Sequence, residues 1–170
     1  MHGRGNFDDD RLDDAQQFPV AARNRFGHTR SSPDLITPKL PALHFYQLAI
    51  PAPKPSKGYF NAAAAERGRA VFNGKGGCQG CHMQPNGTQP GWNLVTSADI
   101  CTDAFTANRS PTGRYRTTPL EGIFARSKGG FYHDGRYPTL MSVVEHYNGC
   151  HNLGLTGNEK LDLVQYLRSR

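Results

Sequence analysis

Cys78-Gln79-Gly80-Cys81-His82 is the stretch that decides how this chain folds. Two thiols separated by two residues and followed at once by an imidazole form the attachment signature of a c-type haem. The spacing has a chemical reason. Each thiol adds to one vinyl group on the same edge of a porphyrin, forming a thioether, and the adjacent imidazole then falls beneath the iron. The motif predicts one covalent haem c, held by Cys78 and Cys81, with His82 as the proximal iron ligand. Zinc would need two more ligands; Cys101 and Cys150 exist, but neither belongs to a second close pair. A thioredoxin-like redox pair would need a strand–helix–strand context, which the flanking sequence lacks.

On the N-terminal side of the motif, Asn61 is an N-cap for a helix through Phe72, and the glycines from Gly74 onward end it. On the C-terminal side, residues 84–117 read as loop and Pro119 to Phe124 as one helical turn. Thr139 to Tyr147 reads as a helix. Thr156 and Glu159 make a capping box for a last helix to Leu167, where Leu163, Tyr166 and Leu167 share a face. Two helices bracketing a loop-wrapped haem give an all-α, cytochrome c-like domain with long loops. Residues 38–50 suggest a short amphipathic helix, and Pro51, Pro53 and Pro55 a stiff linker. The expected division is an irregular N-terminal arm with its linker, 1–57, and a haem domain, 58–170. Asp8, Asp9, Asp10, Asp13 and Asp14 read as a solvated acidic segment.

Composition narrows the function. Hydrophobic residues are 36% of the chain, a low share that a large apolar cofactor would supplement. The formal charge is +6, which suits a soluble surface or a basic docking face for an acidic redox partner. No Lys/Arg run is interleaved with stacking aromatics, so nucleic acid is not expected as a partner. No apolar stretch reaches the ~18 residues of a membrane span. Met1 is followed by no secretory signal pattern. Covalent haem attachment nevertheless implies a periplasmic or other extracytoplasmic location, so the chain is expected to be a piece of a longer one. In that compartment Cys101 and Cys150 could pair, or remain two free thiols.

Four stretches resemble the C-terminal, electron-accepting haem domain of bacterial di-haem cytochrome c peroxidases and their tyrosine-ligated relatives. They are Arg67-Gly68-Arg69-Ala70-Val71-Phe72, Tyr115-Arg116-Thr117-Thr118-Pro119-Leu120, Phe131-Tyr132-His133-Asp134-Gly135-Arg136 with Thr139-Leu140, and Leu153-Gly154-Leu155-Thr156. Together they cover about residues 58–170. That family carries two haem motifs and this chain one, so the resemblance implies a redox domain and not by itself a peroxidase. A second haem domain is an implied partner. Calcium is implied at the carbonyls of Thr117 and Pro119, the positions that bind it between the two domains of the peroxidases.

The second axial ligand sets much of the iron's behaviour. The family's distal ligand lies fourteen residues beyond the His of its His-Asp-Gly motif, which here is Tyr147. Tyr147 also follows Val143 and Val144 at helical spacing, on an apolar face. Met141 is the second candidate; His133, His146 and a water-bound iron complete the set. Arg114, Arg116 and Trp92 are candidate propionate partners. The expected function is electron transfer. The alternative is a haem peroxidase or oxidoreductase working with a second haem domain, in which His133 could act as a distal acid–base group.

Overall fold

A computed structural model describes residues 5–89, 91 and 93–170. The chain divides into two units, Met1–Pro51 and Ala52–Arg170.

The first unit contains strand β1 (Phe7–Asp8), helix α1 (Pro19–Arg23), strand β2 (His28–Thr29) and helix α2 (Leu40–Ala49). β1 and β2 pair antiparallel, with Asp8 opposite His28. The acidic segment is therefore not simply solvated. His28 Nδ1 lies 2.6 Å from Asp8, and its Nε2 lies 2.7 Å from Asp13. Arg30 also reaches Asp8, at 2.8 Å. The carboxylates and the histidine attract across residues that lie far apart in sequence, which a reading of local composition does not see.

The second unit contains helix α3 (Ala62–Asn73), strands β3 (Leu94–Val95) and β4 (Tyr115–Arg116), and helices α4 (Leu140–Cys150) and α5 (Gly157–Arg168). Asn61 caps α3 by accepting the Ala64 N–H. Thr139 with Ser142 and Thr156 with Glu159 form capping boxes at α4 and α5. The helical turn expected over 119–124 lies at Ile123–Arg126. β3 and β4 pair antiparallel and tie the long loop to itself.

α3 and α5 pack closely at Gly68, where an added Cβ would overlap the backbone of Asp162. Arg67 closes the same crossing with two hydrogen bonds to Asp162, at 2.8 and 2.7 Å. The core consists of Phe72, Leu120, Val144, Leu155, Leu163, Val164, Tyr166 and Leu167. Phe72 is 1% exposed, and burying such a ring contributes roughly 1.5–3 kcal/mol. Among the described residues no helix is long and apolar enough to cross a membrane.

Candidate haem site

The core is built around a cleft rather than closed on itself. Six of its eight residues, Phe72, Leu120, Val144, Leu155, Leu163 and Leu167, also line this cleft. Cys78 and His82 line it from the motif, and Val143 and Tyr147 line it from α4. Its open space is about 80 Å³, smaller than the ~300–1,000 Å³ of ordinary ligand clefts, and its lining is almost wholly apolar.

The imidazole of His82 is oriented from behind. Its Nδ1 lies 2.9 Å from the Gly87 carbonyl, which can only accept, so Nδ1 carries the hydrogen. Nε2 is then the bare nitrogen with a lone pair available to a metal. Burial pushes the His82 pKa below its ordinary value, and the bonds to main-chain carbonyls only partly offset this. Burial thus favours the neutral ring, the state a ligating histidine needs. Gly87 has a φ of +63° and packs against Leu120, where a side chain would strain the turn that presents this carbonyl.

Burial also pushes the Cys78 thiol up to about 11. A redox or nucleophilic cysteine needs the opposite shift. Cys101 and Cys150 are bonded to each other, with Cα atoms 6.0 Å apart. That pairing resolves the choice between disulfide and free thiols, and removes the two extra ligands a zinc site would have needed. Cys78 and Cys81 remain free thiols. An almost wholly apolar cleft with Cys78 and His82 in its wall, and Cys81 free beside them in the motif, fits a covalent porphyrin.

The other candidates separate clearly. Tyr147 lines the cleft, whereas Met141 packs on the fringe of the core and does not. Burial raises the Tyr147 pKa, while the neighbouring Tyr132 hydroxyl works the other way. His146 has both ring nitrogens engaged, Nδ1 with Tyr137 Oη at 2.7 Å and Nε2 with the Ile100 carbonyl at 3.0 Å. His133 does not line the cleft; it stacks on Tyr115 and sits 3.3 Å from Asp103. Cys81 lies beside Cys78 without lining the cleft. Arg114 and Arg116 are exposed and away from its lining. Trp92 falls outside the described residues. The Thr117 carbonyl accepts from Thr88 Oγ1, and the Pro119 carbonyl accepts from the Arg126 guanidinium. A calcium ion at Pro119 would meet that positive charge.

With this geometry in place, likenesses to characterised proteins can be set beside it. Over 90 residues, half of this chain, it is 32% identical to the methylamine utilization protein MauG of Methylorubrum extorquens. Over 153 residues it is 26% identical to cytochrome-c peroxidase IdrP1 of Denitromonas iodatirespirans, covering 64% of this chain. The matches span 25% and 40% of those relatives. The second name agrees, at the level of a distant likeness, with the resemblance carried by the motifs. No family model and no solved structure matches the chain.

Two features of the site escape a reading of the sequence. The carbonyl of Gly87 has no side-chain signature. The cluster of Tyr132, Tyr137, His146 and Tyr147 comes from a loop and a helix that meet only in three dimensions. The closeness of the tyrosines to His133-Asp134 and to His146 was its one available signal.

Proposed function

We propose that residues 52–170 form a c-type haem redox domain that carries electrons within a peroxidase-related protein. Cys78 and Cys81 would hold the porphyrin through thioethers, and His82 would ligate the iron. The observation that carries this reading is the His82 imidazole in the wall of an apolar cleft, hydrogen-bonded at Nδ1 to the Gly87 carbonyl so that Nε2 is left to a metal. When bound, the haem supplies a one-electron couple; the chain tunes it through the apolar lining and the second ligand, for which Tyr147 is the candidate. Phenolate is a hard, anionic donor that favours ferric iron. The basic net charge suits docking to an acidic redox protein. The Cys101–Cys150 bond suits an oxidising, extracytoplasmic compartment.

A second reading is a peroxidase or other haem oxidoreductase completed by a second haem domain. It draws on the likeness to IdrP1 and on the small share of that relative that this chain spans.

Absorption spectra of the oxidised and reduced holoprotein test both readings. A six-coordinate, low-spin haem inert to carbon monoxide and peroxide is the result expected of a carrier. A high-spin haem that reacts with peroxide favours the second reading. Cys78→Ala and Cys81→Ala together should leave any haem extractable by acidic organic solvent. Full covalent retention in that double variant would remove the central assignment.

A further inference from the structure

Beyond the cleft, Tyr137, His146 and the Ile100 carbonyl form a hydrogen-bonded chain. The Ile100 carbonyl accepts from His146 Nε2 at 3.0 Å, so Nε2 carries the ring hydrogen. In the neutral ring Nδ1 is then the acceptor, and the Tyr137 hydroxyl, 2.7 Å away, donates to it. Tyr137 therefore holds a short bond to a base whose tautomer is fixed by the main chain. The ring of Tyr137 meets Tyr132 edge to face, with centroids 4.9 Å apart, and Tyr132 lies 6.2 Å from Tyr147 on the cleft wall. A path of contacting aromatic rings thus joins the cleft to a phenol with its own proton acceptor.

We propose that Tyr137 is a redox-active tyrosine, oxidised by one electron with its proton passing to His146. This rests on the second reading above, in which the haem reacts with peroxide; the inert haem of a pure carrier would not supply the oxidant. The oxidant is the haem after reaction with a hydroperoxide. Hydrogen peroxide takes two electrons and two protons to become two waters, the haem site supplies the electrons, and Tyr137 returns one of them. At Tyr137 the O–H bond breaks. The electron travels through Tyr132 and Tyr147 to the cleft, the proton bonds to His146 Nδ1, and a neutral phenoxyl faces an imidazolium. Passing the proton along an existing hydrogen bond avoids forming the phenol radical cation, which makes this tyrosine easier to oxidise than one without a base. The Ile100 bond keeps His146 in the accepting tautomer throughout.

The test uses the holoprotein, with covalent haem measured separately by its pyridine haemochrome spectrum. One arm adds hydrogen peroxide; the other generates tris(bipyridine)ruthenium(III) by flash, which needs no haem. Electron paramagnetic resonance after rapid freezing reads the radical. The expected result in both arms is a tyrosyl signal whose hyperfine pattern changes when 3-fluorotyrosine replaces Tyr137 alone. The signal should be lost in Tyr137→Phe and fall several-fold in His146→Gln, which keeps an acceptor but not a base, with haem content unchanged. The fluorotyrosine protein preserves the native packing, so a folding defect in the other variants does not blur the answer. A haem-loaded protein whose peroxide-generated radical ignores fluorine at 137, or which gives no radical, overturns the proposal. Absence of covalent haem, or a haem that does not consume peroxide, overturns the parent reading instead, and the ruthenium arm then decides for Tyr137 alone.

Discussion

Gly68 on α3 lies directly against the main chain of Asp162 on α5, with no room for a Cβ between them. The clash would be with backbone, which cannot swing aside as a flexible side chain can. Gly68→Ala should destabilise the domain by about 1–3 kcal/mol, lowering Tm by several degrees. Gly149→Ala is the control. Gly149 also lies in a helix, α4, with open space around its α-carbon. That change should be neutral or stabilising by up to about 1 kcal/mol. Thermal melts of the two variants beside wild type check both statements.

Tyr147 lines the cleft, and Val143 and Val144 on the same face of α4 line it too. If Tyr147 ligates the iron as proposed, Tyr147→Phe should move the ferric spectrum toward high spin and raise the reduction potential, because an anionic donor is lost. Tyr147→Met should raise the potential further if the sulfur reaches the iron. Spectroelectrochemistry of the three proteins decides. An unchanged ferric spectrum in the Phe variant would take Tyr147 off the iron, and Met141→Leu would be the next substitution to measure.

The Cys101–Cys150 bond closes a sequence separation of 49 residues and ties the loop at Cys101 to the end of α4. Replacing both cysteines with serine should cost ~2–4 kcal/mol, most of it from the freer unfolded chain. Chemical denaturation should show a lower midpoint in the double variant. Wild type treated with reductant should match it.

His28 bridges Asp8 and Asp13 with both ring nitrogens, which requires the protonated ring. Hydrogen bonds to Asp13 and then Asp8 raise its pKa above the ordinary 6.5. Its contribution is complete below that value and is lost as the pH rises through the raised one. Asp8 behaves in the opposite sense. His28 and then Arg30 lower its pKa from 3.8, so its contribution is complete above 3.8 and is lost as the pH falls through the lowered value. The N-terminal unit should therefore be best ordered between about pH 3.8 and 6.5. Amide exchange across residues 7–30 should speed up on either side of that window, and His28→Asn should abolish the upper edge. An NMR titration placing the His28 pKa at or below 6.5 would contradict this account.

The parts of the site that lie within one helical turn or one short motif can be read from the sequence. Cys78, Cys81 and His82 declare themselves by spacing. Val143, Val144 and Tyr147 share a face because residues three and four apart on a helix must. Asn61 and the Thr156–Glu159 pair mark helix starts because their side chains satisfy nearby N–H groups. What escapes is long-range pairing. His28 gathers Asp8 and Asp13 across turns that composition does not encode. His146 looks like a spare ligand until the hydroxyl of Tyr137 and the carbonyl of Ile100 occupy its two nitrogens. Met141 and Tyr147 share a helix, and only the packing of α4 on α5 shows which of them reaches the cleft.

The acceptor that aims His82 is a peptide oxygen, and Gly87 has no side chain to lose. The same oxygen also receives the Leu120 N–H, at 3.2 Å. The orientation of the His82 ring is therefore written into the chain's trace, where a side-chain exchange at position 87 cannot delete the acceptor without bending a turn. Tyr147, on the opposite element of the cleft lining, is by contrast a side chain that one nucleotide can exchange. On the proposed haem reading, descendants of this protein could vary the Tyr147 side of the cleft repeatedly while the orientation of His82 stayed constant.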